Sequence, residues 1–266
     1  MRKLALLLLV IAGLAAAGIA LADDDDRASH VHAVTAHHTT HHKAAAARRA
    51  VHVMVLGRSV QRRPIRAVVL GDPNARAAAL VVGCIHGNEP AGIGVVERVR
   101  HWTPPTDMAL WIVPDLNPDG RAADTRQNAR GVDLNRNFPF RWQPLGPRGS
   151  QQYAGAGPVS EPETRIARSL ILRLRPRLTI WFHQPLGVTD RSGGDARLER
   201  RFARLSGLPL RTLPRYPGSV TSWEDFRLRT GTAFVVELPP GPPSPNAVSR
   251  YAAAVEGLVT VVARQA

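Results

Sequence analysis

Six short apolar runs constrain this chain more than any other feature: residues 51–56, 65–70, 79–83, 110–114, 178–183 and 233–238. Each has the length of a strand, and the first two are rich in β-branched residues. Helical patterns fall between them. Residues 90–102 form one. A second opens at Ser160-Glu161-Pro162-Glu163, where S-x-x-E predicts a capping box with proline inside the first turn. That helix sets Ile166, Ala167, Leu170, Ile171 and Leu174 on one face and stops before Pro176. The last helix runs from about Asn246 to the end, with Tyr251, Ala254, Val255, Leu258 and Val262 as its apolar stripe. Strands alternating with helices predict a single α/β domain over residues 51–266. Its sheet should be mixed and mostly parallel, with helices on both faces.

The first 50 residues have a different texture. Arg2 and Lys3 precede an apolar run that ends at Ala20-Leu21-Ala22. This is the pattern of a secretory signal peptide over residues 1–22, cut before Asp23. An uncleaved N-terminal membrane anchor is the alternative. No cysteine follows the run to carry a lipid. Either way the remainder is expected outside the cytoplasm, as a secreted, periplasmic or cell-wall-associated protein. Residues 23–50 hold six of the ten histidines and show no apolar periodicity, which predicts a disordered His-rich linker. Such a tract either gathers zinc or serves as a solvated spacer.

The formal charge of +14 comes almost wholly from arginine, for Lys3 and Lys43 are the only lysines. The arginines are scattered, without interleaved aromatics, so no nucleic-acid partner is expected. Attraction to an anionic surface such as a cell wall is in keeping with it. Cys84 is the single cysteine, so no intrachain disulfide forms. Within an apolar segment it reads as buried filler. A monomer is expected.

Residues 81–92, VVGCIHGNEPAG, carry the first chemistry. The apolar strand breaks at Gly83 and presents His86 and Glu89 on a turn. Imidazole nitrogen and carboxylate oxygen both suit zinc. A loop with two polar residues is the plain alternative. A zinc hydrolase needs three protein ligands, an open position and a base. His183 ends another apolar strand and is placed to be a ligand, more so than His52 or His101. Glu237 stands in the apolar run FVVELP, where a carboxylate is costly without a task or a partner. It is either the base or half of a buried salt bridge. In GVDLNRNFP, Arg136 can grip a carboxylate with two hydrogen bonds and Asn135 can add a donor.

Taken in order, HGNE, NPDG (residues 117–120), RQNARGVDLNRNFP (126–139), SEPET (160–164), the lone His183 and VVEL resemble the zinc carboxypeptidase family. The compact bacterial murein peptide amidases are the most similar branch, and the resemblance spans nearly all of residues 51–266. It implies one Zn²⁺ held by His86, Glu89 and His183. It implies that Glu237 takes a proton from the attacking water and passes it to the leaving amine. Arg126 would polarise the scissile carbonyl, and Asn135 and Arg136 would bind the carboxylate of the released residue. Tyr216 is the candidate for a substrate-binding tyrosine on the loop before the Glu237 strand. The side-chain pocket should lie near Thr221, and Gln184-Pro185 stands where digestive members have Ser and Tyr. The implied function is an exported carboxypeptidase acting on peptidoglycan-derived peptide, at the γ-D-glutamyl–diaminopimelate bond. HGNEP and DLNR also resemble the succinylglutamate desuccinylase and aspartoacylase group, which cleaves N-acyl amino acids. A non-catalytic extracellular zinc-binding protein is the third reading.

Overall fold

The computed structural model describes residues 51–265. The expected signal peptide and His-rich linker lie outside them. Eight strands form one sheet: β1 (Val51–Arg58), β2 (Pro64–Leu70), β3 (Ala77–Val82), β4 (Met108–Val113), β5 (Leu178–His183), β6 (Val188–Asp190), β7 (Leu210–Arg211) and β8 (Thr232–Glu237). Six helices join them: α1 (Ala91–Val99), α2 (Pro118–Ala122), α3 (Pro162–Leu174), α4 (Ala196–Ser206), α5 (Val220–Leu228) and α6 (Pro245–Ala263).

The strand order is β1-β2-β4-β3-β5-β8-β6-β7. The central run β4-β3-β5-β8 is parallel throughout. Antiparallel pairing is confined to β1–β2, β2–β4 and β6–β8. The mixed, mostly parallel α/β sheet expected from the sequence is therefore the one observed. Every residue of β3, β4 and β5 is buried, as strands covered on both faces must be. Their side chains alternate between two cores. Ala79, Val81, Leu110, Ile112, Ile180 and Phe182 pack with residues of α1, α4 and α6. Leu80, Val82, Trp111, Val113 and Trp181 pack with residues of α3 and α5.

This winding creates the site. From β3 the chain passes through α1 to β4 on one side, and β5 lies on the other. The two connections cover opposite faces, so they part at the β3/β5 boundary. Beyond the carboxyl ends of those strands a crevice opens, the place where α/β sheets hold ligands.

Local expectations met two departures. The S-x-x-E capping box does not form. The N-cap of α3 is Glu161 and its side chain makes no capping bond. Glu163 instead accepts from the Val60 amide at 3.0 Å and from Asn128 Nδ2 at 3.0 Å, and Ser160 Oγ donates to Glu161. A long-range network has taken the groups that a local cap would use. The second departure is that α2, α4, α5, β6 and β7 had no clear sequence signal. Helix α4 has a strong apolar stripe at Leu198 and Phe202, but four arginines and a glutamate obscure it in ARLERRFARLS.

Candidate metal centre and substrate cavity

Three side chains meet at the β3/β5 crevice. His86 and Glu89 lie on the turn between β3 and α1, and His183 is the last residue of β5. The turn is fixed by close backbone approach. A Cβ on Gly87 would lie 2.0 Å from the Gly120 carbonyl carbon, so only glycine lets this loop rest on α2. His86 Nδ1 and His183 Nδ1 stand 3.0 Å and 2.9 Å from the same Glu89 oxygen, Oε2, and 3.1 Å from each other. All three residues are buried.

The donor set fits zinc. Nitrogens around a tetrahedral zinc are about 3.3 Å apart, given Zn–N bonds near 2.0–2.1 Å. The tautomer fits as well. His86 Nε2 lies 3.0 Å from Asp133 Oδ1, so with Nε2 donating to that carboxylate, Nδ1 turns its lone pair towards Glu89 and His183. Three electron-rich atoms crowded together out of water call for a cation at their centre. The field says the same. Burial lowers the His86 pKa, but the Asp133 and Glu89 carboxylates outweigh it and leave the pKa raised. Burial raises the Glu89 pKa, yet His86 and His183 hold it well below the usual carboxylate range.

Arg126 braces the ligands. Its guanidinium bonds Glu89 Oε1 at 2.9 Å and Asp133 Oδ2 at 3.0 Å. Asn117, in the NPDG segment, caps α2 and donates to the Arg126 carbonyl at 3.3 Å, which fastens the arginine's loop.

Glu237 ends β8 and pairs in register with His183. Its Oε2 is buried with no hydrogen-bond partner. Burial raises its pKa, Glu89 adds to the rise, and His183 opposes it. A carboxylate with one oxygen free in a site of this kind is equipped to accept a proton.

His86, His183, Arg126 and Glu237 line a cavity of about 160 Å³ together with Asn135, Arg136, Tyr216 and Thr221. Larger hollows, of about 350, 490 and 510 Å³, lack the histidine ligands, so chemistry rather than size selects the site. Asn135 Oδ1 accepts from the Val220 amide at 2.9 Å. That bond orients the amide and leaves its NH₂ group to donate. Arg136 donates to the Asn135 carbonyl at 2.8 Å and stacks on the Tyr216 ring at 4.2 Å. Its Nε is buried without a partner, and among the described residues it has no ion pair. Burial holds its pKa below the usual arginine value. A buried guanidinium with unused donors fits a carboxylate. Gly218, at φ +71°, packs where a Cβ would lie 2.0 Å from the Arg136 carbonyl oxygen, so the Tyr216 loop and the arginine are locked together.

All eight residues singled out in the sequence gather here: His86, Glu89, Arg126, Asn135, Arg136, His183, Tyr216 and Glu237. His52 and His101 are exposed elsewhere. Cys84 is fully buried and donates to the His86 carbonyl, and burial pushes its thiol pKa up, which leaves no nucleophile there. Sequence reasoning missed Asp133. It stands two residues before Asn135, and its position inside an apolar-flanked motif was the available signal. It also missed Asp190 and Arg215, which line the same cavity from segments far apart in the chain.

A His-Glu-His metal centre with an adjacent half-buried carboxylate, at the crevice of a mixed α/β sheet, defines a metal-dependent hydrolase. Comparison with known proteins specifies it. The sequence profile described as zinc carboxypeptidase matches residues 105–186, a span that holds Arg126, Asp133, Asn135, Arg136 and His183. Murein peptide amidase A of Escherichia coli strain K12 is 33% identical over 180 residues, covering 62% of this chain and 73% of the relative. The crystal structure of murein-tripeptide amidase MpaA from Escherichia coli O157 superposes with a TM-score of 0.64 at 29% identity, covering 78% of this chain and 91% of that one. Carboxypeptidase A from Helicoverpa armigera shares the fold, with a TM-score of 0.68 at 17% identity over 81% of this chain and 69% of that one. This chain belongs to the zinc carboxypeptidase family, and it is a peptide hydrolase.

Proposed function

We propose that this protein is an exported zinc carboxypeptidase that hydrolyses the γ-D-glutamyl–diaminopimelate bond of peptidoglycan-derived peptides. One observation carries the reading. Arg136, buried with its Nε free of any hydrogen-bond partner, shares a cavity with His86, His183 and the free oxygen of Glu237. Such a cavity measures the distance from a terminal carboxylate to the bond that is cut.

His86, Glu89 and His183 would hold the metal, with Asp133 and Arg126 fixing two of the three. Zinc, when bound, supplies Lewis acidity to a carbonyl and acidifies water. Arg136 and Asn135 bind the released residue's α-carboxylate, and Tyr216 closes over them through its stack on Arg136. Glu237 takes the proton of the attacking water and delivers it to the leaving nitrogen. Its raised pKa brings it nearer the working pH, which favours both transfers. Arg126, lining the same cavity, presents its remaining N–H groups to the developing oxyanion.

The substrate half rests on relatives that are named murein peptide amidases. The export half rests on the basic start, apolar middle and small residues of residues 1–22. Peptidoglycan in the wall or periplasm, and fragments shed from it, would then be the substrate at hand. The test is a matched pair of wall tripeptides, one with free carboxylates and one amidated at the terminal α-carboxyl. Release of diaminopimelate from the first alone is expected. Equal cleavage of both would remove the carboxypeptidase reading, and turnover of N-acyl aspartate or succinyl glutamate in place of peptides would move the chain to the deacylases.

A further inference from the structure

A second charged pair lines the cavity, and none of the roles above uses it. Asp190 ends β6 and is only 2% exposed. It accepts from the Leu213 amide at 2.9 Å, from Ser192 Oγ at 3.0 Å and from Arg215 at 2.6 Å. Arg215 also donates to the Arg191 carbonyl. Two anchors therefore fix the guanidinium at the cavity wall. A guanidinium has five N–H donors. Only two are engaged, so the others are available to a ligand.

An Arg–Asp pair on a surface is usually a solvated pair of little consequence. This one differs in that its carboxylate is buried and held by three donors. Both partners also line the space occupied by Arg136, His183 and Glu237. The charge of that lining is informative. Arg126, Arg136 and Arg215 stand against Asp190 and Glu237, an excess of one positive charge before any metal is counted. The lining also includes Leu186, Leu213, Pro214 and Val235, which offer apolar surface to methylene groups. Such a pocket suits a residue with two carboxylates joined by a short methylene chain. It is poor for one that ends in an unaccompanied ammonium.

We propose that Arg215, positioned by Asp190, is the residue that reads the side chain of the released amino acid, by binding a second carboxylate there. This rests on the reading that the cavity holds the released residue. It adds the chemical reason for choosing diaminopimelate over lysine, which is the same molecule without the second carboxylate.

The experiment compares L-Ala-γ-D-Glu-meso-diaminopimelate with L-Ala-γ-D-Glu-L-Lys on the full-length zinc-loaded protein. The readout is the ratio of kcat/KM for the two peptides. Free meso-diaminopimelate and free L-lysine are titrated calorimetrically into the same preparations. The wild type should favour the diaminopimelate peptide by roughly 10- to 100-fold, the range for one charge-assisted hydrogen-bonded contact. Arg215→Ala should bring the ratio close to one, and Arg215→Lys should recover part of it. Arg215→Gln keeps a donor for Asp190 without the charge, and serves if the alanine variant does not fold. A wild type without preference, or a preference that survives in Arg215→Ala and Arg215→Gln, overturns the proposal. If the wild type cleaves neither peptide, the wall-peptide reading fails and the titrations decide Arg215 alone. Tighter diaminopimelate binding that is lost in the variants supports it, and equal binding of the two amino acids overturns it.

Discussion

Asp133→Asn is the substitution that tests the site's internal logic most sharply. Asp133 is buried and joins three parts of the centre. It accepts from His86 Nε2 at 3.0 Å, from the Asn135 amide at 2.9 Å and from Arg126 Nε at 3.0 Å. Asparagine has the same shape but only one acceptor oxygen. Its NH₂ group must then face either Arg126 or the His86 and Asn135 donors, and at least one contact becomes donor against donor. Losing one charge-assisted hydrogen bond costs about 1.5–3 kcal/mol. Loss of an outer partner of a metal-bound histidine typically weakens metal affinity by roughly 10- to 100-fold, which is about 1.4–2.8 kcal/mol. The two figures agree, so a zinc Kd raised by roughly 10- to 100-fold is expected. The assay is competition with a chromophoric chelator near pH 8, where protons compete least for His86. Melting of the metal-free variant reports separately on folding. A zinc affinity within about twofold of wild type, in a folded variant, would refute the claim that Asp133 orients His86.

Two further predictions concern stability. Glu224 is buried on α5 and accepts from Thr179 Oγ1 and from Trp181 Nε1 at 3.3 Å. Burial pushes its pKa from 4.5 up to about 8. Below pH 4.5 the carboxyl is protonated both folded and unfolded, and its contribution is fully present. Between pH 4.5 and about 8 only the unfolded chain releases the proton, so stability falls as pH rises, by roughly 3–5 kcal/mol in all. Glu224→Gln should remove that slope in denaturant titrations across pH 5–9, and identical slopes in the two proteins would count against it. Gly218→Ala places a methyl against the Arg136 carbonyl at a positive φ, and should destabilise by about 2–4 kcal/mol and raise KM by displacing the clamp. An unchanged melting temperature and KM would show that the loop yields.

The strands of the central sheet were legible because strands buried on both faces must be almost continuously apolar, as 79–82, 110–113 and 180–182 are. His183 and Glu237 were legible for the related reason that a polar residue closing such a run needs a purpose. The short outer strands β6 and β7 carry no such demand. Helix α4 hides its stripe among arginines. The capping box at Ser160 misled because local pattern does not register a distant competitor, here the Val60 amide and Asn128. Asp133 was passed over for its neighbours Asn135 and Arg136, whose chemistry is visible without a fold. Asp190 and Arg215 could not be paired from sequence, since 25 residues separate them and only the return of the chain after β7 brings them together.

Zinc content and peptide release, measured on the wild type beside Glu237→Gln, decide whether this cavity is a zinc peptidase centre with Glu237 as its base. The substrate is L-Ala-γ-D-Glu-meso-diaminopimelate. One zinc per chain is expected in both proteins, with diaminopimelate released by the wild type and a kcat lowered by roughly 10²- to 10⁴-fold in the variant. A variant that binds zinc and retains wild-type turnover would contradict the assignment of Glu237. A wild type that binds no zinc would contradict the metal centre itself.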